Sequence, residues 1–229
     1  MLVIGHRGAS AAFPENTAAA FAGAGEQGAD GVELDVRRTA DGRMALSHGD
    51  ALPDGTIVVD ARFVDLPSSM LDLAAALDVC APLAVVNIEI KNWPDDADFD
   101  PTEQLASAVV ALLAERDELT GGRNLISCFH LPTIDRVHEL APELPTGWLL
   151  GMVEDPARLI DRAGERGHAA VHPHHAFVNE DFVARAHAAG LALNTWTCDD
   201  PDRIRWLSDL GVDAVITNVP DVALRALGR

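Results

Sequence analysis

The sequence predicts an α/β protein whose fold is a closed (β/α)8 barrel, the TIM barrel. Short apolar strands alternate with helices, a pattern that forms parallel sheets through right-handed crossovers. Eight such units with short connections fit into 229 residues, near the typical barrel size of about 250 residues. Polar residues recur at the carboxyl ends of the strands, where barrel enzymes carry their active sites. An open doubly wound sheet is the structural alternative, but no GxGxxG loop follows the first strand.

Hydrophobic periodicity places the strands, and capping residues place the helices between them. The predicted strands are residues 2–5, 31–37, 83–91, 124–129, 146–151, 169–172, 191–197 and 214–218, with a short extended piece at 44–48. The first predicted helix is capped by Asn16 or Thr17 and runs to about residue 24. The other predicted helices are residues 69–78, 101–116, 132–140, 155–166, 179–189, 201–210 and 221–227. Residues 49–67 are interpreted as an excursion of loop and short strand within a single domain, residues 1–229.

Composition restricts the classes of function. The hydrophobic fraction of 48% is enough to bury a full core. A formal net charge of −19 argues against nucleic acid or an anionic membrane surface as a partner. Three widely spaced cysteines without a CxxC motif favour a reducing compartment, and no signal-like or membrane-spanning run is found. We therefore expect a cytoplasmic protein without stable membrane association, whose oligomeric state the sequence leaves open.

Acidic residues recur on two of the predicted strands. Glu33 and Asp35 share one face of the strand at 31–37, and Glu89 lies on the polar face of residues 87–91. Carboxylates that point to one centre repel each other unless a cation lies among them. The sequence therefore predicts a site for a divalent metal, Ca²⁺ or Mg²⁺, with these three oxygen ligands.

Basic and imidazole side chains follow the same strand ends. His6 and Arg7 end the first strand, His48 ends the extended piece, and Lys91 ends the strand that carries Glu89. A metal would polarise a phosphoryl oxygen, and the two cations would neutralise phosphate charge in the transition state. The two histidines would act as base for the attacking hydroxyl and acid for the leaving alkoxide. We therefore predict cleavage of a phosphate ester.

Some polar residues at strand ends have structural explanations. The cluster of His172, His174 and His175 is similar to a transition-metal site, but Pro173 and a helix start favour loop capping. Trp196 fits either a packed core or the wall of a pocket.

These residues lie in motifs that resemble the glycerophosphodiester phosphodiesterase family. The matching segments, in chain order, are His6-Arg7-Gly8, Pro14-Glu15-Asn16-Thr17, Glu33-x-Asp35, Thr39-x-Asp41-Gly42, His48, Asn87-Ile88-Glu89-Ile90-Lys91, Ser127-x-Phe129 and the tail from Trp196-Thr197 to Thr217-Asn218-x-Pro220. The resemblance covers nearly the whole chain. It implies a TIM barrel that hydrolyses glycerophosphodiesters to sn-glycerol 3-phosphate and an alcohol, with a divalent metal.

The resemblance also implies residue roles. By position, the acid/base pair is His6 and His48, the metal ligands are Glu33, Asp35 and Glu89, the phosphate contacts are Arg7 and Lys91, the wall of the glycerol pocket is Trp196, and the supporting residues are Glu15, Asn16, Asp50 and Ser127. Two mechanisms stay open. Either a glycerol hydroxyl attacks first and gives a cyclic phosphate, or water attacks directly.

The segment after the second histidine departs from the family pattern. The family usually has Asp directly after this histidine, whereas here Gly49 precedes Asp50. If that carboxylate orients the imidazole, Asp50 must reach from one residue further. The segment is also short compared with members that carry a substantial insertion there, so the preference for an alcohol headgroup stays open.

Three other functions are alternatives. A lysophospholipase D or related phospholipid-cleaving enzyme on the same barrel needs an apolar mouth for an acyl chain, to which Trp93 and Phe99 would contribute. An enolase-type barrel also places carboxylates on successive strands with a Lys base, but His6 and Arg7 fit phosphoester cleavage better. The third alternative is a protein descended from this family that is not an enzyme, and the Gly49 insertion is the reason to consider it.

Overall fold

The strands of the chain close into a barrel. The computed structural model describes residues 1–151 and 156–229. Within them the strands are β1 (Leu2–His6), β2 (Gly31–Arg38), β3 (Met44–Leu46), β4 (Val85–Ile90), β5 (Asn124–Cys128), β6 (Thr146–Leu150), β7 (Ala170–Pro173), β8 (Ala192–Thr195) and β9 (Ala214–Thr217). Their order is β1-β9-β8-β7-β6-β5-β4-β2-β3, and β1 also pairs with β2. The closed ring is parallel throughout, with β3 antiparallel on β2, and the prediction of a (β/α)8 barrel is confirmed.

Helices connect these strands and cover the outside of the barrel. They are α1 (Ala18–Glu26), α2 (Leu73–Val79), α3 (Gln104–Glu115), α4 (Leu131–Leu140), α5 (Pro156–Glu165), α6 (Glu180–Ala188), α7 (Pro201–Asp209) and α8 (Pro220–Ala226). Apolar side chains of the helices pack on the outward faces of the strands, as Phe21 and Leu77 do beside Leu34. This packing leaves the inner faces of the strands to line the centre of the barrel.

Local capping decides where the first helices begin. Thr17 caps α1 because its hydroxyl accepts the N–H of Ala20 at 3.2 Å. α2 begins at Leu73, later than predicted, because the Asp72 side chain accepts the N–H of Ala75 at 2.9 Å. The predicted start of a helix at Asp155 lies outside the described residues.

The excursion after β3 contains little regular structure. Its ordered pieces are two 3-10 turns, Val58–Asp60 and Phe63–Asp65. A single antiparallel bridge joins Ala51 to Ile57, where the sequence predicted a short strand. Val58 and Leu66 bury their side chains in a small separate apolar cluster. The excursion therefore packs beside the barrel and leaves its centre open.

Close contact between β2 and β4 gives a test of the barrel's packing. Gly31 pairs with Val85, and a Cβ at Gly31 would lie 2.2 Å from the Val85 carbonyl oxygen. We expect Gly31→Ala to lower the free energy of unfolding by about 1–3 kcal/mol, because the strands must separate to admit the methyl group. Urea unfolding followed by circular dichroism measures the change.

Gly25→Ala is the matched control for this substitution. Gly25 lies in α1 and is exposed, and a methyl group there reaches only an ordinary contact of 3.4 Å with Leu83. We expect it to raise the free energy of unfolding by up to about 1 kcal/mol, because Ala favours the helix. Equal unfolding midpoints for the two variants would contradict the strand contact.

Candidate active site

Three carboxylates meet at one place inside the barrel. β2 presents Glu33 and Asp35 inward, because Val32 and Leu34 face the helices. The adjacent parallel strand β4 places Glu89 in register with Asp35. Oxygen atoms of all three carboxylates lie within 4.8 Å of one another, and all three residues are buried. The predicted convergence of these residues is therefore present in the structure.

Two cations partly neutralise the acidic cluster. Lys91 Nζ lies 2.8 Å from Asp35 Oδ1 and also pairs with Glu89. Arg7 Nε lies 3.0 Å from Asp35 Oδ2, and the Arg7 backbone N–H donates to Glu33 Oε2 at 2.9 Å. These contacts place the cations within the reach of a phosphate bound beside the carboxylates. Buried carboxylates need such partners, since leaving one unpaired costs several kcal/mol.

Burial and charge shift the acids in opposite directions. Burial, with Asp35 and Glu89 close by, raises the pKa of Glu33 well above its usual value. Burial also raises the pKa of Glu89, against the opposing charge of Lys91. Burial alone would raise the pKa of Asp35 too, but Lys91, contact with His48 and Arg7 together hold it below the usual range. Asp35 is therefore the carboxylate that stays ionised most firmly.

The donor set fits a hard divalent cation. Glu33 Oε1 is buried and has no hydrogen-bond partner among the described residues, which leaves a lone pair directed into the cluster. Carboxylate oxygens are the ligands that Ca²⁺ and Mg²⁺ prefer. A bound cation would also offset both the burial and the carboxylate repulsion that raise the pKa of Glu33.

The two histidines approach the carboxylates from different segments, His6 from the end of β1 and His48 from the loop after β3. His6 Nε2 lies 3.9 Å from Glu33 Oε2, and His48 Nδ1 lies 3.6 Å from Asp35 Oδ2. Burial lowers the pKa of His6, so this ring is neutral near pH 7. His48 is half exposed, with 49% of its side chain accessible. Both rings line a pocket of about 250 Å³ with Glu33 and Glu89.

A larger cavity opens beside this pocket. Its volume is about 730 Å³, and the two share His48, Glu89, Lys91, Phe129 and Leu149 as lining residues. The additional lining residues are mainly apolar and include Ile90, Trp93, Trp148, Leu150 and Leu159, with Arg37 and Arg162 as cations. The site therefore has two adjoining compartments, a smaller one at the carboxylates and a larger one on the His48 side.

Other residues named from the sequence lie around the cluster. Glu15 pairs with Arg7 Nη1 at 2.8 Å, and Asn16 Nδ2 donates to Asp35 Oδ2 at 2.9 Å. Ser127 is buried in register with Glu89. Trp196 lines the smaller pocket, with its indole N–H donating to the His172 carbonyl at 2.7 Å.

Asp50 does not reach the His48 imidazole. Its Oδ2 accepts the N–H of Ala97 at 2.9 Å, and no hydrogen bond joins Asp50 to His48 within the described part of the chain. The physical reason is the extra residue, Gly49, which carries Asp50 toward the loop after β4. Asp50 therefore contacts that loop, and the carboxylate beside the His48 ring is Asp35.

The histidine cluster at β7 serves the fold. His174 Nδ1 accepts the N–H of Ala176 at 3.3 Å, which is the capping role that the sequence favoured. His172 lies inside the barrel, where burial lowers its pKa to about 3, and Asn194 contacts its Nε2 at 3.0 Å. The described residues contain no cluster that joins these histidines into a metal site.

Sequence reasoning missed Arg37 as a residue of the site. Its guanidinium donates to the His48 carbonyl oxygen from Nε at 3.1 Å and from Nη2 at 2.8 Å. Nη1 pairs with Asp98 at 2.5 Å and Nη2 with Asp96 at 2.9 Å. The alternation along β2 carried the signal, because Arg37 shares the face of Glu33 and Asp35.

The fold and the site define a class of protein. A barrel with buried carboxylates, two cations and two imidazoles at one pocket is suited to cleaving phosphate esters. Comparison with known families agrees, because residues 6–222 match the Glycerophosphoryl diester phosphodiesterase family. The chain belongs to this family and is a phosphoric diester hydrolase. This membership decides against the enolase-type and non-enzymatic alternatives.

Known relatives match along nearly their whole length. Glycerophosphodiester phosphodiesterase from Caldanaerobacter subterraneus is 28% identical over 242 residues, which cover 100% of this chain and 98% of that protein. The Bacillus altitudinis enzyme of the same name is 27% identical over 246 residues, covering 97% and 96%. A phosphodiesterase structure from Oleispira antarctica, in complex with the product sn-glycerol-3-phosphate, has a TM-score of 0.88 at 26% identity, covering 100% and 97%. Within the described residues, no helix is long and apolar enough to cross a membrane.

The raised pKa of Glu33 gives a stability prediction. The folded protein holds this proton more tightly than the unfolded chain does, so stability falls as pH rises above the ordinary Glu pKa. In EDTA at pH 8, we expect Glu33→Gln to stabilise the protein by on the order of 1 kcal/mol, or about 2–4 °C in Tm. Below the ordinary Glu pKa both states of the wild type are protonated, and the gain should disappear. Calorimetry at pH 8 and pH 4 measures both.

Glu115→Gln is the control, since Glu115 is an exposed residue at the end of α3. We expect its Tm to stay near wild type at both pH values. A Tm for Glu33→Gln that is lower than wild type at pH 8 would contradict the unfavourable burial of this charge.

Proposed function

We propose that this chain is a metal-dependent glycerophosphodiester phosphodiesterase that releases sn-glycerol 3-phosphate and an alcohol. The observation that carries the proposal is the convergence of Glu33, Asp35 and Glu89 beside a pocket that His6 and His48 line. Family membership supports the diester substrate. The Oleispira antarctica relative, which binds sn-glycerol-3-phosphate as product, supports the glycerol half.

The metal would be held by Glu33, Asp35 and Glu89, as Ca²⁺ or Mg²⁺. When bound, the cation supplies charge that polarises a phosphoryl oxygen. Arg7 and Lys91 then contact the other phosphoryl oxygens, where they stabilise the charge that grows in the transition state. Trp196 forms the wall against which the glycerol packs.

The two histidines divide the proton transfers. His6 is buried and neutral near pH 7, so it can accept the proton of the attacking hydroxyl. His48 lines both the smaller pocket and the larger cavity, so it can protonate the departing alkoxide between them. Glu15 and Asn16 support Arg7 and Asp35 through their hydrogen bonds. Ser127 supports the β4–β5 register beside Glu89, and Asp50 supports the loop that follows β4.

We also propose that residues 1–229 form one domain that works in the cytoplasm. The buried cysteines Cys80, Cys128 and Cys198 are unpaired, which supports a reducing compartment. The net charge of −19 supports a small diester rather than nucleic acid as partner.

Substrate turnover tests the proposal directly. Purified protein should release glycerol 3-phosphate from glycerophosphocholine, lose this activity in EDTA and regain it with Ca²⁺ or Mg²⁺. His6→Ala and His48→Ala should each lower kcat by about 10²–10⁴-fold, because each removes a proton-transfer group. Glu89→Gln should mainly raise the metal concentration that gives half-maximal rate. A coupled glycerol 3-phosphate assay measures all of these.

His187→Ala is the control, since His187 lies on the surface in α6 and pairs with Asp213. We expect it to keep the wild-type rate. Near-full activity in His6→Ala would overturn the acid/base assignment, and no turnover of any glycerophosphodiester with metal would overturn the proposed function.

The larger cavity favours a second candidate, cleavage of lysophospholipids on the same barrel. Its apolar walls suit the acyl chain of a lysophospholipid, which is carried by the glycerol half of that substrate, and Trp93 forms part of these walls. If this function holds, Trp93→Ala should lower kcat/KM for lysophosphatidylcholine by about tenfold and leave glycerophosphocholine nearly unchanged. Parallel assays of the two substrates decide. Turnover of the deacylated diester alone would exclude this candidate.

A further inference from the structure

A chain of hydrogen bonds runs from the loop after β8 to the His6 ring. His6 Nδ1 lies 2.7 Å from Asn218 Oδ1, which also accepts the Ser10 hydroxyl at 2.9 Å. At its other end, the Asn218 amide donates from Nδ2 to Asp199 Oδ2 at 2.7 Å. Neither Asn218 nor Asp199 lines the smaller pocket. Their side chains therefore reach the pocket through the His6 ring.

The direction of every bond in this chain follows from Asp199. A carboxylate only accepts hydrogen bonds. Asp199 Oδ1 already accepts the Asn218 backbone N–H and the Thr217 hydroxyl, both at 2.8 Å. The NH₂ group of the Asn218 side chain must therefore face Asp199, and its carbonyl oxygen must face His6.

The amide orientation fixes the tautomer of the imidazole. Asn218 Oδ1 has no hydrogen to give, so His6 Nδ1 must carry one. In the neutral ring Nε2 then has a free lone pair, and this nitrogen is the one near Glu33, at 3.9 Å. The nitrogen that can take a proton is thus held toward the pocket.

We propose that Asp199 and Asn218 are positioning residues that hold the His6 ring with a hydrogen on Nδ1, so that Nε2 is the proton acceptor for the reaction. This inference rests on the proposed function of His6 as base. A purely structural role is the alternative, since the same bonds also tie the β8–α7 loop to the end of β9. The tests below separate the two, because loop stability does not depend on which ring nitrogen carries the hydrogen.

The tautomer of the wild-type protein is the first test and needs no activity. Long-range ¹H–¹⁵N spectra at pH 8 distinguish protonated from unprotonated ring nitrogens, and the signals that vanish in His6→Gln assign this ring. We expect Nδ1–H and a bare Nε2. A spectrum with Nε2–H overturns the proposal, whether or not the protein turns over a glycerophosphodiester.

Asp199→Asn should reverse the donor-to-acceptor direction of these hydrogen bonds. The Asn218 backbone N–H cannot turn away, so the oxygen of the new amide should stay on it and its NH₂ group should face the Asn218 side chain. That side chain must then flip and present its own NH₂ group to His6, which forces the Nε2–H tautomer. We expect kcat to fall about 10²-fold, while KM changes less than about threefold.

The double variant Asp199→Asn with Asn218→Asp should restore the original direction. The amide at 199 then donates to the carboxylate at 218, which can only accept from His6 Nδ1. We expect the Nδ1–H tautomer to return and kcat to recover to within about tenfold of wild type. Asp209→Asn, on the exposed end of α7, is the matched control and should leave both tautomer and kcat unchanged.

The outcomes distinguish this proposal from the proposed function. Wild-type kcat together with an unchanged tautomer in Asp199→Asn overturns the positioning role. A double variant that regains the tautomer but stays as slow as Asp199→Asn also overturns it. If no variant or wild type cleaves a glycerophosphodiester, the proposed function fails, and the wild-type spectrum still decides the tautomer. The same spectrum decides it if Asp199→Asn does not fold.

Discussion

The ion pairs of Asp35 with Lys91 and Arg7 are the interaction on which the rest of the site depends. Three buried carboxylates would repel one another, and two cations held at about 3 Å from Asp35 offset most of that repulsion. If all five groups were ionised, one negative charge would remain in excess. The cluster is thus stable enough to fold and still electronegative enough to favour a divalent cation. Under the proposed function, the same two cations would contact the phosphodiester.

The pairing of the barrel strands fixes the geometry of the site. The register of β2 on β4 fixes the spacing of the carboxylates, and the β1–β2 pairing brings His6 opposite Glu33. Arg37 donates to the His48 carbonyl and pairs with Asp96 and Asp98, so one side chain joins the loop after β3 to the loop after β4. Arg37 therefore anchors the His48 segment through its backbone, whereas Asp50, within the described residues, forms no hydrogen bond with the His48 imidazole.

Two adjoining compartments form the site. The smaller one, about 250 Å³, lies at Glu33 and His6, and the larger one, about 730 Å³, combines apolar walls with charged side chains such as Arg37 and Asp96. Under the proposed function, they would hold the two halves of the diester. Phe129 stands in both, packed edge-on against Trp93 and Trp196 at ring separations of 6.0 and 5.4 Å. An aromatic wall therefore continues from one compartment to the other.

By itself the sequence determined the barrel and most of the charged residues of the site, though not Arg37, because hydrophobic periodicity and strand-end polarity are local properties of the chain. The period-two pattern of β2 was enough to place Glu33 and Asp35 on one face, and the same pattern repeats around Glu89. Only the tertiary structure decided which partners those residues have. That Asp50 turns to Ala97, that Arg37 holds His48, and that Asp199 directs the Asn218 amide toward His6 are contacts between distant segments. Hydrogen bonds of this kind require donor and acceptor atoms to be placed to within a few tenths of an ångström. That placement exists only after the strands have closed into the barrel.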